Sequence, residues 1–333
     1  MEEPMEIRGE KIAEFFHNFI CYRVLDDGFV HPLRYTEKQV AHLSAFSERQ
    51  ATRALASANI TVELMTNSSH VGMFMRLLPG SSRESGAVEV FVNGKQSGTF
   101  PLINERDCSV DVALEGEMNK VTFYLPWSMQ TEIEKIMVDD DSLVRRTGRR
   151  NKTIICMGDS ITQGYMADEP TKTYVGRLST HFDAEIINQG NGGYFLDEDL
   201  LDEDIEVKPD LVSFAYGTND YSRNSDPEVI RGNLRSFLDK LTGIFPKTPI
   251  ICITAPYRGS EKHFNRVKDL GWGYDKLIEI FHEVCSGYSQ VTVVDDPVPH
   301  GQDCFYSDYT HPTALGFEHY FNKLRPVVKE LLG

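Results

Sequence analysis

The sequence has no run of about 20 apolar residues, the length that a helix needs to cross a bilayer. Its opening, MEEPMEIRGE, is acidic and lacks the basic start and apolar stretch of a secretory signal. These two absences predict a cytoplasmic protein that has no membrane partner.

Close spacings of metal-binding residues are also missing. The six cysteines lie far apart, no C-x-x-C occurs, and His282-Glu283 begins an H-E-x-x-H pattern without its second histidine. Cys156 and Cys252 lie inside apolar runs, where small buried thiols are common. We therefore expect no metal ion and no other cofactor, and we regard disulfides as unfavoured.

Positive charge is scarce, since 34 Lys and Arg residues face 50 Asp and Glu residues and give a net charge of −16. A field of that sign repels phosphate backbones and anionic lipids, so we expect no nucleic-acid partner. It favours neutral or cationic substrates. The sequence leaves open whether the chain forms a homo-oligomer.

Short apolar runs with period-two alternation dominate the first half of the chain after an irregular segment at 1–57. In that segment, Thr36 and Gln39 form a capping-box pattern that predicts one helix. Asn93-Gly94 is typical of a type I′ hairpin turn. The six runs are ITVELM, VGMFMRLL, VEVFV, SVDVAL, KVTFYL and IEKIMV. They predict an all-β sandwich of jelly-roll type.

A chain of 333 residues exceeds what one hydrophobic core usually supports, so we predict two domains. The charged stretch at 139–152 is interpreted as a solvated linker rather than an anion-binding patch. The predicted division is a β-sandwich domain at 1–147, which includes the leading helix, and a second domain at 148–333.

Strands and helices alternate in this second domain. TIICM, AEIIN, LVSFAY, PIICITAP and VTVVD are predicted strands, and Asp226-Pro227 supplies the N-cap and first residue of a helix. A last helix is expected from about Pro312 to Leu332. The alternation predicts an α/β fold with a parallel sheet and right-handed crossovers. Ligands of such sheets bind beyond the carboxyl ends of the strands.

Polar loops follow four of these strands. They are MGDSIT at 157–162, NQGNGG at 188–193, GTND at 217–220 and DYTHP at 308–312. A parallel sheet brings such loops to one rim, so we expect them to form a single site.

The residue types at this rim suit acyl transfer. Ser160 is a candidate nucleophile that needs a base, His311 is the candidate base, and Asp308 can accept a hydrogen bond from its other ring nitrogen. The Ser160 N–H, a glycine N–H from 190–193 and the Asn219 amide are candidate oxyanion donors. Together the loops predict nucleophilic ester hydrolysis.

From about residue 153 onward, the chain resembles the SGNH, or GDSL-like, hydrolases. Ser160 in GDS, Asn219 in G-x-N-D, and Asp308 and His311 in D-x-x-H match the family's motifs residue by residue. The resemblance implies a flavodoxin-like sheet of order 2-1-3-4-5 with helices on both faces. It also implies ester hydrolysis without a metal ion.

The resemblance assigns the oxyanion glycine of the second block to Gly193, with Gly190 as the alternative. Tyr194 stands where many family members have Asp, and Ile161 replaces the usual Leu. The shape of the second loop is therefore left open.

A jelly roll ahead of such a domain is similar in architecture to bacterial carbohydrate esterases of family 2, which are acetyl esterases. This analogy implies hydrolysis of acyl, above all acetyl, esters on small sugars or oligosaccharides. Two alternatives remain: a lipase or thioesterase for longer acyl chains, and a non-catalytic carbohydrate-binding protein.

Four further residues are candidates for substrate binding. Tyr165 and Tyr257 follow strand ends and could stack on sugar rings, as could Trp127 if the domains pack face to face. Asp159 precedes the candidate nucleophile. For each aromatic residue, a core or surface role is an equal expectation.

Overall fold

Two antiparallel sheets pack face to face in the first half of the chain. The computed structural model describes residues 4–83, 85–103, 106–223, 226–257, 272–299 and 301–333. One sheet has the order β3-β4-β11-β6-β9 with β1 on β11, and the other has the order β12-β5-β10-β7-β8 with β2 on β5. The strands are β1 (Met5–Arg8), β2 (Phe16–His17), β3 (Cys21–Val24), β4 (Val30–Leu33), β5 (Thr61–Thr66), β6 (His70–Pro79), β7 (Ser85–Val92), β8 (Lys95–Ile103), β9 (Asp107–Ala113), β10 (Asn119–Tyr124), β11 (Met129–Val138) and β12 (Val144–Arg146).

All six predicted runs are strands, which confirms the β-sandwich. Val121, Phe123 and Leu125 are fully buried between the sheets, as the alternation requires. Asn93 and Gly94 both have positive φ, 53° and 78°, in the tight turn between β7 and β8.

The segment at 1–57 is more ordered than the sequence predicted. The capping box of Thr36 and Gln39 is present at helix α1 (Glu37–Phe46), and a second helix, α2 (Glu48–Ala54), follows it. The sequence did not predict strands β1 to β4, and the expectation of an irregular segment is wrong there. They have two to four residues each, too few for alternation to be recognised.

A five-stranded parallel sheet with the order β14-β13-β15-β16-β17 forms the second half. In chain order this is 2-1-3-4-5, and the fold class is confirmed. Its strands are β13 (Lys152–Gly158), β14 (Ala184–Gly190), β15 (Leu211–Ala215), β16 (Ile250–Ile253) and β17 (Val291–Val294). Its helices are α3 (Ser160–Gln163), α4 (Tyr174–His181), α5 (Thr218–Arg223), α6 (Pro227–Ile244), α7 (Tyr274–Cys285) and α8 (Ala314–Leu332).

Helices cover both faces of this sheet. The apolar side chains of α6 and α7 pack in one core cluster with Val212 and Phe214, and those of α4 and α8 pack in another with Ile154 and Ile186. Asp226 caps α6, with Pro227 at its first turn, as predicted. The carboxyl ends of the strands therefore remain open for a site.

The outer face of the second antiparallel sheet packs against the α/β half. Glu89 on β7 accepts hydrogen bonds from the Thr171 N–H at 2.7 Å and the Thr171 hydroxyl at 2.9 Å. Arg150, interpreted above as part of a solvated linker, instead binds Glu63 at 2.7 Å and Glu185 at 3.3 Å. The linker reading is wrong for Arg150, because acidic residues of both halves surround it.

Candidate active site

A sharp strand-to-helix turn presents Ser160. The strand β13 ends at Gly158, and a Cβ there would lie 2.1 Å from Thr162 Oγ1, so only glycine fits. Asp159 caps α3 by accepting the Ile161 N–H at 2.9 Å. Ser160 is the first residue of α3, and its Oγ lies 2.8 Å from His311 Nε2.

The loop before α8 holds His311. Asp308 Oδ2 lies 2.6 Å from His311 Nδ1, and its Oδ1 accepts the N–H groups of Thr310 at 2.9 Å and His311 at 3.0 Å. Burial raises the pKa of Asp308, but these hydrogen bonds, first of all that of the His311 ring, outweigh it and lower the pKa to about 2. Asp308 is therefore an anion that orients the imidazole over a wide pH range.

The two candidate oxyanion glycines, Gly190 and Gly193, have different environments in the loop after β14. Gly190 donates its N–H to Asn188 Oδ1 at 2.8 Å, and a Cβ on it would lie 2.1 Å from the Gln163 backbone nitrogen. Gly193 has φ +75° and lines the cleft beside Ser160. Of the two glycines, Gly193 is therefore the one that lines the cleft.

The loop after β15 holds Asn219 at the start of α5. Asn219 Nδ2 donates to the Tyr194 carbonyl at 2.9 Å and to Asp159 Oδ2 at 3.2 Å. Asp220 is buried and accepts the N–H groups of Leu196 and Gly217, each at 3.0 Å, on separate oxygens. Burial raises the pKa of Asp220 to about 6 despite these bonds.

The β-sandwich half supplies two walls of the cleft. Its helix α2 contributes Arg49 and Arg53, and the loop after β6 contributes Ser81 and Ser82. The cavity over Ser160 measures about 350 Å³ and adjoins a second one of about 680 Å³ that shares these four residues. None of these four residues was predicted from the sequence. The only available signal was the four-residue spacing of two arginines on one helix face.

A buried arginine ties the two halves together behind this cleft. Arg34 donates to the carbonyls of Ala56, Asn188, Gly190 and Arg53, each at 2.6 Å. Burial lowers its pKa. The end of β14, which leads into the Gly192-Gly193 loop, is therefore held by the sandwich half.

The candidate substrate-binding aromatic residues Tyr165 and Trp127 lie in different environments. Tyr165 lines the cleft, and its ring centroid lies 4.5 Å from that of His311. Trp127 is 1% exposed, and its indole N–H donates to the Ala167 carbonyl at 2.8 Å. Of the two roles expected for Trp127, the structure favours the core role over stacking on a sugar: its ring lies edge-on against Tyr165, with 5.8 Å between the centroids.

Asp159 and Tyr257 are not among the described residues that line the cleft. Asp159 is 3% exposed and is engaged with Ile161 and Asn219, so its predicted contact with substrate is corrected to an internal one. The Tyr257 ring packs against Tyr274 with centroids 5.3 Å apart, and Tyr257 is not among the described residues that line the cleft.

Within the described ranges, no group of three or more His, Cys, Asp or Glu side chains is arranged to hold a metal ion. No helix in the same ranges is both long and apolar enough to cross a membrane.

Comparison with known proteins bears on the α/β half first. Residues 156–319 match the model of the GDSL-like Lipase/Acylhydrolase family, so this part of the chain is a carboxylic ester hydrolase domain of that family. Among curated proteins, a sequence search finds no match.

Solved structures match the whole two-domain architecture. The salicylyl-acyltransferase SsfX3 from a tetracycline biosynthetic pathway is 17% identical, with a TM-score of 0.82 over 98% of this chain and 97% of that one. A family two carbohydrate esterase from Cellvibrio japonicus is 14% identical, with a TM-score of 0.69 over 100% and 99%. The acetyl xylan esterase Est2A from Butyrivibrio proteoclasticus is 13% identical, with a TM-score of 0.67 over 100% and 99%. At such identities the likeness concerns the fold.

Proposed function

From a chain that carries a GDSL-like lipase/acylhydrolase domain, we propose a serine esterase in which Ser160, His311 and Asp308 act as the catalytic triad. The observation that carries the proposal is the line of short contacts from Ser160 Oγ to His311 Nε2, 2.8 Å, and from His311 Nδ1 to Asp308, 2.6 Å. Such a line needs no rearrangement before the first proton transfer.

In this mechanism, Ser160 Oγ attacks the ester carbonyl while His311 Nε2 takes its proton. The imidazolium, stabilised by the Asp308 carboxylate, then protonates the departing alcohol. Water, deprotonated by His311, attacks the acyl-enzyme, and the imidazolium returns that proton to Ser160 Oγ as the acid leaves. One water is consumed for each ester cleaved.

The oxyanion of each tetrahedral intermediate would be bound by the N–H groups of Ser160 and Gly193 and by the Asn219 amide. Both amide hydrogens of Asn219 already have acceptors, so one is shared or released when the oxyanion forms. The 3.2 Å bond to Asp159 is the longer of the two and is the one expected to yield.

We propose acetyl or similarly short acyl esters on carbohydrates as the substrate class. The cleft is lined mainly by polar side chains, which disfavours the long acyl chains of a lipase or a thioesterase. The shared architecture with carbohydrate esterases supports a sugar as the alcohol. Tyr165 is the aromatic residue in the cleft that could stack on a sugar ring.

The decisive experiment measures hydrolysis of 4-nitrophenyl acetate by the wild type and by the Ser160→Ala and His311→Ala variants. Turnover should be lost in both, because each removes a reacting group. Ser286→Ala, at the exposed end of α7, is the matched control and should keep the wild-type rate.

A Ser160→Ala protein that hydrolyses the ester at the wild-type rate would overturn the mechanism. An inert wild-type protein that binds glycans would instead support the non-catalytic alternative. Acetate release from a panel of acetylated mono- and oligosaccharides, with acyl-chain length varied in a second series, tests the substrate class.

A further inference from the structure

Two arginines stand at the cleft of a strongly acidic protein. Arg49 and Arg53 lie four residues apart on α2, so their side chains share one face of that helix. The chain has 50 acidic and 34 basic residues, yet this helix places two guanidinium groups together. Burial lowers the pKa of Arg53, and the neighbouring charge of Arg49 lowers it further.

Neither guanidinium is neutralised by a carboxylate of the described residues. Arg53 donates one hydrogen bond to the Gly192 carbonyl, and Arg49 has no hydrogen-bond or ion-pair partner in those ranges. The acidic side chains at the two cavities are Asp308, which is held by His311, and Glu48 on the first turn of α2. Most of the donor groups of both arginines therefore remain available to a ligand.

The position of the pair relates it to the reacting centre. Arg53 packs on the oxyanion loop, since a Cβ on Gly193 would lie 3.1 Å from Nη1 and one on Gly192 would lie 3.3 Å from Nε. Arg49 and Arg53 line both the cavity over Ser160 and the adjoining one. An ester bound at Ser160 that extends into the adjoining cavity must pass the two guanidinium groups.

We propose that the ester substrate carries an anionic substituent, a carboxylate or an oxyanion of similar geometry, which Arg49 and Arg53 bind beside the oxyanion loop. The proposal rests on the esterase function given above and narrows its substrate class. A guanidinium presents a planar fork of donors that matches such an anion. A structural role accounts for the bond from Arg53 to Gly192, whereas Arg49 is exposed at the rim of the cleft and has no such bond.

The net charge of −16 had favoured neutral or cationic substrates. Two cationic side chains at the site itself outweigh distant surface charges, because solvent and salt screen exposed charges beyond about 10 Å at moderate ionic strength. The anionic group would belong either to the acyl part or to the alcohol part of the ester. Each possibility is tested with its own pair of substrates.

The test compares kcat/KM within two matched pairs of esters. The acyl pair is 4-nitrophenyl hemisuccinate and its neutral methyl ester, and the alcohol pair is an acetylated methyl galacturonoside and the corresponding acetylated methyl galactoside. The anionic member of at least one pair should be preferred by about 10-fold, the scale of a partly exposed charge-assisted contact. The preference should shrink as NaCl is raised.

The Arg49→Gln variant should bring the preference within each pair close to one. Arg146→Gln, an equal change of net charge on exposed β12, should leave both the preference and the rate of 4-nitrophenyl acetate hydrolysis intact. Equal kcat/KM within both pairs, or a preference that survives Arg49→Gln, overturns the proposal.

A calorimetric titration with monomethyl succinate and methyl galacturonoside separates this proposal from the esterase function. Should the wild type hydrolyse no ester, the triad mechanism fails, yet binding of either anion that disappears in Arg49→Gln still supports the anion site. Absence of binding to both probes in the wild type would contradict it.

Discussion

At the scale of single residues, the local environment decides which of several similar groups can act. Both Gly190 and Gly193 were candidates for the oxyanion glycine, but the Gly190 N–H is bonded to Asn188, whereas Gly193 lines the cleft. Asp159 and Trp127 were candidates for substrate binding, and both are buried. The residue types indicated the chemistry of the site, and burial excluded the candidates that cannot contact a substrate.

Substitution by alanine should affect mainly kcat at Gly193 and mainly stability at Gly190. Gly193→Ala should keep the fold but lower kcat by on the order of 10-fold, because its positive φ is unfavourable for alanine and the loop must shift. Gly190→Ala should mainly destabilise the protein, since its Cβ would lie 2.1 Å from the Gln163 backbone. Thermal unfolding and esterase rates measure both, and a Gly193→Ala enzyme with wild-type kcat would remove Gly193 from the oxyanion hole.

We expect Asp220 to position Asn219. Its two oxygens accept the N–H groups of Leu196 and Gly217, so Asp220→Asn, with one acceptor oxygen, would place an amide NH₂ against one of these N–H groups. We expect kcat to fall on the order of 10-fold with little change in KM, since the oxyanion donor is misplaced while the ester still binds.

The matched control for Asp220→Asn is the same substitution at Asp226, the N-cap of α6, where asparagine caps equally well. Asp226→Asn should leave both kinetic constants unchanged. A KM increase at constant kcat in Asp220→Asn would show that the residue supports binding rather than the oxyanion.

At the scale of elements, strands β13, β14 and β15 bring three of the motifs to one rim of the sheet. Arg34, in the segment after β4, holds the end of β14 in place. Arg34 binds four carbonyls that belong to both halves of the chain. Arginine suits this task because its planar guanidinium has five donors, whereas an ammonium has three on one centre.

Arg34→Lys should therefore reduce the free energy of unfolding by about 2 kcal/mol or more, because buried carbonyls lose their donors. It should also lower kcat, since the end of β14 leads into the Gly192-Gly193 loop. Urea unfolding and esterase assays test this. Arg23→Lys, at an exposed ion pair with Glu37, is the control and should change stability by less than about 1 kcal/mol. Equal stability of the two variants would contradict the role of Arg34.

At the scale of the whole molecule, an ionic cluster joins the two halves. Glu185 on β14 lies 2.7 Å from His17 Nδ1 and 3.3 Å from Arg150 Nη1, and Arg150 reaches Glu63 on β5. Burial raises the pKa of Glu185, but the His17 hydrogen bond and the other partners outweigh it and lower the pKa to about 2. Because these contacts between the halves favour ionised Glu185, the stability of the protein should depend on pH.

A carboxyl whose pKa is depressed by folding stabilises the fold above its unfolded pKa and loses this contribution as the pH falls through the folded value. For Glu185 the window runs from about pH 4.5 down to about 2, and the shift corresponds to about 3 kcal/mol. Glu185→Gln should be less stable than the wild type at pH 7, and this difference should shrink across the window.

Urea unfolding at several pH values measures the acid dependence of both proteins. Glu318→Gln, on the surface of α8, serves as the control and should follow the wild-type curve. Parallel curves for the wild type and Glu185→Gln would show that Glu185 does not carry this acid sensitivity.

The sequence by itself predicted the type of sheet in each half and the four loops of the site, because hydrophobic period and turn residues act locally. It also determined the candidate Ser160, His311 and Asp308, since their types and order limit the chemistry. Only the tertiary structure decided that Gly193 and not Gly190 faces the cleft, and that Arg49 and Arg53 line it. The placement of Gly190 depends on the packing of its loop against Gln163, and that of Arg53 on a contact with Gly192, 139 positions away; no local pattern records either.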